Sequence, residues 1–119
     1  MNSEPILLVA GEPNSVFLEI LFKTYKRKKI KKPLILICSY KLLNLQMKKL
    51  GFKKKIKIIE IEKIRKYKLD NKSINLIDVK YQQKKAFEKI SSKSNNYIEN
   101  CFKTAIKLIK LGIVNNLIN

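Results

Sequence analysis

The chain has 119 residues, the length of one small domain or of part of a larger one. Apolar residues make up 45% of it, which excludes a disordered tail, and no apolar run approaches the ~20 residues that a membrane span needs. The net charge is +18, yet 25 of the 27 basic residues are lysine and only Arg27 and Arg65 carry the guanidinium fork suited to phosphates and base edges, so a nucleic-acid partner is not expected and the charge reads as a lysine-loaded solvent face.

The N-terminal "MNSEPILLVAGEP" has no basic region before its short apolar run, which argues against a secretory leader and makes a cytoplasmic protein the expectation. Ile6 to Ala10 is a continuous apolar run bounded by Pro5 and Gly11 and predicts a buried strand. Gly11 to Ser15 forms a turn, and Asn14 or Ser15 can cap a helix from about Val16 to Lys26. The i,i+4 pairs Val16–Ile20, Phe17–Leu21 and Leu18–Phe22 give that helix an apolar face too broad for cover on one side only. Lys26 to Lys32 then gathers six basic residues at the helix end, where cations meet the negative end of the dipole.

"PLILICS" predicts a second buried strand, followed by a helix in "YKLLNLQMKKLG" with Ser39 as its cap, Leu43, Met47 and Leu50 on one face, and Gly51 as a left-handed stop. Ile56 to Ile61 alternates and predicts an edge strand, with Glu60 and Glu62 turned to solvent. Residues 62–73 read as charged and irregular, Ile74 to Val79 as a strand or extended segment, and "AFEKISS" as a short turn. The strongest helical pattern runs from about Asn96 to Leu111. Asn96 and Glu99 resemble a capping box, and Ile98, Cys101, Phe102, Ala105, Ile106 and Ile109 line one face. Gly112 stops it, and "IVNNLIN" begins another strand. Strands alternate with helices, so the class is α/β with a mostly parallel sheet, and ligands in such sheets gather at the carboxyl ends of the strands, where Gly11 to Ser15 lies.

Reactive chemistry is sparse. The turn Gly11-Glu12-Pro13-Asn14-Ser15 has one glycine and no Gly-Lys-Ser/Thr ending, so it matches neither the dinucleotide fingerprint nor the P-loop, and Glu12 would repel a phosphate. The chain contains no histidine, which removes the usual base near neutral pH and the commonest metal ligand. Cys38 and Cys101 lie among apolar neighbours, do not form a metal-binding pattern, and read as reduced, small apolar residues.

"GEPNSVFLE" nevertheless resembles the opening of 4-hydroxythreonine-4-phosphate dehydrogenases of vitamin B6 biosynthesis, where a strand is followed by Gly-Asp/Glu-Pro-Ala-Gly-Ile-Gly-Pro-Glu. Gly11, Glu12, Pro13 and Glu19 match, and Asn14 to Leu18 depart. "LILICSYKLLNLQMKKLGF", "INLIDV" and "NNYIENCFKTAIKLIKLGIVNNLIN" extend the similarity along the chain. The resemblance implies that residues 1–119 form a single α/β region. It would be the incomplete N-terminal portion of a larger isocitrate/isopropylmalate dehydrogenase-like fold. It implies an NAD- or NADP-dependent oxidation and decarboxylation of 4-phosphooxy-threonine on the way to pyridoxal phosphate. It also implies a histidine-held divalent metal and a homodimer in the full-length enzyme. The family's metal and phosphate ligands have no counterpart in residues 1–119, so no catalytic, cofactor or metal residue is assigned and this region alone is expected to be inactive. Two other readings stay open from the residues: a basic α/β domain binding nucleic acid through its lysine clusters, and a complete small domain with a structural or regulatory role.

Overall fold

The computed structural model describes residues 4–81, 86–87 and 94–119. Five strands, β1 (Ile6–Val9), β2 (Leu34–Cys38), β3 (Ile56–Ile58), β4 (Ile74–Asp78) and β5 (Asn116–Ile118), form one sheet in the order β3-β4-β2-β1-β5. Every pairing is parallel, with Leu8 opposite Leu36 and Ile118, and Leu36 opposite Leu76. Three helices, α1 (Phe17–Arg27), α2 (Tyr40–Leu50) and α3 (Asn95–Lys110), and one 3-10 helix (Ile61–Lys66) connect the strands.

The continuous apolar runs have a direct cause. Side chains alternate across a strand, and both faces of this sheet are covered, so no position in a central strand can be polar without a partner. Leu8, Leu34, Leu36, Ile74 and Leu76 pack on one face against Leu18, Leu21 and Phe22 of α1 and Leu42, Leu43 and Met47 of α2. Leu7, Val9, Ile35, Ile37 and Ile77 pack on the other against Tyr97, Cys101, Ala105 and Leu108 of α3 and Ile64 of the 3-10 helix. Asn75 is the buried polar residue of β4, and it donates to the carbonyls of Leu34 (2.9 Å) and Asp70 (2.8 Å). Asn71 accepts from the Leu34 amide (3.0 Å) and donates to the Lys32 carbonyl (2.8 Å), so the amino ends of β2 and β4 are tied together.

Several expectations shift. The third strand stops at Ile58, and Glu62 lies in the 3-10 helix; the turn it makes lets Ile64 reach the core from a segment that reads as irregular. Glu60 and Glu62 are both exposed, as expected. The capping box at α3 is not formed, because Ser94 takes the N-cap position and Asn96 lies inside the first turn. The buried stripe of α3 is Tyr97, Cys101, Ala105 and Leu108, whereas Ile106 (49%) and Ile109 (40%) are exposed. Ser39 caps α2 by accepting from the Leu42 amide, and Gly51 is left-handed (φ 66), both as expected. The "AFEKISS" turn lies outside the described residues apart from Ala86 and Phe87.

Leu36 is 1% exposed in the middle of the sheet, so Leu36→Ala is expected to lower stability by about 2–5 kcal/mol, read as a lower urea midpoint with an unchanged slope. Leu43→Ala, at the buried face of α2, should fall in the same range, while Lys48→Ala on the exposed face should stay within about 0.5 kcal/mol.

Candidate functional site

The carboxyl ends of β1, β2 and β4 and the segments that follow them form the candidate site. The Ala10 amide donates to the Ile37 carbonyl (3.3 Å), which carries the β1–β2 pairing one residue past the strand. The chain then turns sharply at Gly11, whose φ of 69 falls in the left-handed region. A Cβ there would stand 3.0 Å from Asn119 Nδ2, and that nitrogen is already donating to the Val9 carbonyl at 2.7 Å. Glycine is therefore favoured at position 11 both by conformation and by the neighbour.

The next two residues are held from remote parts of the chain. Glu12 accepts through Oε2 from the Ser94 hydroxyl (3.0 Å) at the head of α3, and through Oε1 from the Asn14 amide (3.1 Å). The Pro13 carbonyl accepts from Gln46 Nε2 (2.8 Å), and the same nitrogen donates to the Ala86 carbonyl (3.1 Å). Gln46 is fully buried on α2 and so joins the turn to the segment ahead of α3.

Three helix starts, those of α1, α2 and α3, lie at this end of the sheet, the usual place for an anion to be held by free amides. At the heads of α1 and α2 the chain's own oxygens take some of these amides. At the head of α1, the Ser15 amide donates to the Glu12 carbonyl (3.2 Å) and the Phe17 amide to Ser15 Oγ (3.3 Å), in addition to the Asn14–Glu12 bond. The expected cap is thus shared: Ser15 accepts, while Val16 occupies the N-cap position. At the head of α2, the Tyr40 amide donates to Asp78 Oδ1 (2.8 Å), and Asp78 Oδ2 meets Lys80 Nζ at 2.8 Å. The Ser39 amide donates to the Tyr97 hydroxyl oxygen (2.9 Å).

The Tyr97 hydroxyl lies beside the thiols of Cys38 and Cys101, and its ring packs on Tyr81 at 4.8 Å. Burial pushes the Cys38 thiol up to about 12 and the Cys101 thiol up to about 11, with the Tyr97 hydroxyl working against the shift in each. Both thiols therefore stay protonated near neutral pH and are poor nucleophiles. Burial likewise raises the Tyr97 hydroxyl, which acts as a fixed hydrogen-bonding group.

Of the four positions singled out by the sequence, Gly11, Glu12 and Pro13 come together in this corner. Glu19 does not; it lies along α1 and pairs with Lys23 at 3.4 Å. Gln46, Ser94 and Asn119 complete the corner and carry no sequence signal of that role, apart from the oddity of a glutamine inside the apolar run "LLNLQM". The divalent metal implied by the resemblance finds no fitting donor set here. The chain has no histidine, and among the described residues no three His, Cys, Asp or Glu side chains converge. A depression of about 660 Å³ lies at the opposite, amino end of the sheet, lined by Pro5, Lys31, Pro33, Arg65, Lys68 and Gly112 among others. One of the two arginines, Arg65, is spent there on the Leu111 carbonyl. Among the described residues no helix is long and apolar enough to cross a membrane.

The whole architecture is shared with part of larger solved proteins. The chain is similar to a 4-hydroxythreonine-4-phosphate dehydrogenase from Burkholderia phymatum, with 18% identity and a TM-score of 0.80, over 98% of this chain and 36% of that one. It is similar also to a candidate 4-hydroxythreonine-4-phosphate dehydrogenase from Salmonella typhimurium, with 21% identity and a TM-score of 0.81, again over 98% of this chain and 36% of that one. The chain thus spans about 36% of the length of either. No protein-family model matches the sequence, and a search of the curated proteins found no match.

Two outcomes are expected from this corner. Gly51→Ala, with open space around its Cβ, should cost about 1 kcal/mol for conformation alone, and Gly11→Ala should cost roughly 1 kcal/mol more because it displaces Asn119 from the Val9 carbonyl. Adding Asn119→Ala to Gly11→Ala should then cost less than Asn119→Ala does in the parent, as read by a double-mutant cycle of denaturation midpoints. The thiols set an alkaline limit. Their folded values lie above the ordinary value of 9.0, so the unfolded chain loses those protons first and stability falls as pH rises from about 9 toward about 12. Melting temperatures measured at pH 8 and pH 10.5 should show this fall, and a Cys38→Ala/Cys101→Ala variant should show a shallower one.

Proposed function

We propose that residues 1–119 are the N-terminal scaffold of a 4-hydroxythreonine-4-phosphate dehydrogenase-like enzyme. Such an enzyme oxidises 4-phosphooxy-threonine with NAD or NADP, loses carbon dioxide from the product, and serves pyridoxal phosphate formation. The nicotinamide and a divalent metal would be held by residues outside this region, in a cytoplasmic homodimer. The observation that carries the reading is the fold match over 98% of the chain at TM-scores of 0.80 and 0.81 to two proteins bearing that name. The quoted loop and helix residues support it independently, since they resemble the same family at sequence level.

Within this reading the chain's own residues have a positioning role. Gly11 to Ser15 forms a fixed corner at the ligand end of the sheet, held by Gln46, Ser94 and Asn119. Glu12 occupies the Asn14 and Ser15 amides just ahead of α1 and carries a carboxylate, which disfavours binding of the substrate's phosphate at that turn. The corner would brace the reactive groups supplied by the remaining polypeptide.

The test is a turnover assay on the entire product of the gene and on residues 1–119 alone. Each is supplied with 4-phosphooxy-threonine, NAD or NADP and a divalent metal, and reduced nicotinamide is followed. The entire product is expected to turn over and residues 1–119 to give none. No turnover by the entire product with either nicotinamide overturns the dehydrogenase reading. Turnover by residues 1–119 alone overturns the scaffold role.

A further inference from the structure

The depression at the amino end of the sheet plays no part in the candidate site, which lies at the carboxyl end. Its volume of about 660 Å³ is in the range that holds a small ligand. Lys31, Arg65, Lys66 and Lys68 line it, and among the described residues no aspartate or glutamate does. Among the described residues none of these cations is in an ion pair. Like charges gathered on one concave surface repel one another, and a hollow of one sign focuses the field on an incoming counter-ion.

Three features separate this place from the lysines spread over the exterior. One is Arg65, which is one of only two arginines in the chain. Its Nη2 donates to the Leu111 carbonyl, which fixes the guanidinium against the end of α3 and leaves further N–H donors for a ligand. Another is Gly112, which also lines the depression and presents no side chain to Arg65; even an added Cβ would stand 3.9 Å from the same nitrogen. The last is the way the walls are held. Asn71 donates to the carbonyls of Ile30 (3.2 Å) and Lys32 (2.8 Å), on either side of Lys31, and accepts from the Leu34 amide (3.0 Å). The loop that carries Lys31 is thereby tied to the segment that follows Lys68. The Tyr67 amide donates to the Ile64 carbonyl (3.2 Å), and Lys57 Nζ lies 4.8 Å from the centre of the Tyr67 ring. Backbone held in this way costs little further ordering when a ligand arrives.

We infer that this depression is a binding site for a compact, multiply charged phosphate compound of the di- or triphosphate class, with Arg65 as its anchor and Lys31, Lys66 and Lys68 around it. A guanidinium presents parallel N–H groups that fit two oxygens of one phosphate, whereas the lysine ammonium groups act as point charges on the remaining oxygens. A single phosphate would leave most of these cations unmatched; a linked pair or triplet of phosphates answers more of them. An extended nucleic-acid strand fits less well, because these cations converge on one hollow and the chain has only one other arginine with which to follow a strand. The inference is independent of the dehydrogenase reading, since the hollow and the Gly11 corner lie at opposite ends of the sheet.

Calorimetric titration of the entire gene product with inorganic pyrophosphate tests the inference, with amide hydrogen exchange to locate the ligand. Saturable binding is expected, with slower exchange at residues 64–69 and 111–113. Arg65→Ala should weaken it by at least ~10-fold, and Arg65→Lys, which keeps the charge and loses the fork, should weaken it less. Lys103→Ala, an exposed lysine outside the depression, should change it by no more than about twofold. Should Arg65→Ala fail to fold, the double variant Lys31→Ala/Lys68→Ala, at two exposed positions, is expected to show the same loss. Absence of saturable binding overturns the inference, as does protection confined to other segments. Equal losses from Arg65→Ala and Lys103→Ala show diffuse attraction to the lysine-rich exterior and also overturn it. Citrate that binds as tightly as pyrophosphate overturns the phosphate assignment. A single-stranded oligonucleotide that protects these segments when pyrophosphate does not overturns the assignment of a compact ligand.

Discussion

The corner at Gly11 is the constraint on which the rest of the ligand end depends. One residue of left-handed backbone turns the chain from β1 toward α1, and three side chains from remote parts of the sequence close over it. Asn119 fills the space that a Cβ would take, Gln46 holds the Pro13 carbonyl, and Ser94 holds Glu12. Each bond spans a large separation along the chain, so none can form before the sheet is assembled. Buried polar groups that are paired in this way fix one arrangement, because any other leaves a carbonyl or carboxylate without its donor in a poorly solvated place.

The same bonds decide what the corner cannot do. A helix start at the carboxyl edge of a parallel sheet is a ready anion site when its amides are free. Here Glu12 takes the Asn14 and Ser15 amides ahead of α1 and Ser15 the first amide of the helix, while Asp78 and Ser39 take two amides at the head of α2. The two thiols close by are buried and held protonated. Most of the protein's charge is on its lysine-rich exterior, whereas the Glu12 and Asp78 carboxylates at this end are bonded to the chain's own donors. These pairings support the proposed scaffold role, for a chain that spans only about a third of the proteins sharing its fold.

Much of the architecture was legible in the sequence for a physical reason. In a sheet covered on both faces the central strands are almost wholly apolar, so β1 and β2 stand out as short unbroken runs while β4, broken by Asn75, reads only as a strand or extended segment, and Ser39 and Gly51 mark the ends of α2 by cap chemistry. The misses fall where tertiary packing chooses among apolar residues. In α3 a stripe through Ile106 and Ile109 is as periodic as the one through Tyr97, Cys101 and Leu108. Only the position of the helix over β1 and β2 selects the latter. The 3-10 helix was hidden because six residues, four of them charged, bury a single one, Ile64. Gln46, Ser94 and Asn119 could not be joined to Gly11 from the sequence, since hydrogen bonds across the fold leave no local pattern.

The most direct test of the central claim, that this chain braces a site without itself binding the reacting molecules, is a titration of residues 1–119 with NAD, NADP and inorganic phosphate, followed by amide chemical shifts. The account expects no saturable change at Gly11 to Phe17 or at Ser39 to Leu42 up to millimolar ligand. Saturable shifts at either helix head would show that its amides are available to an anion, and would contradict it.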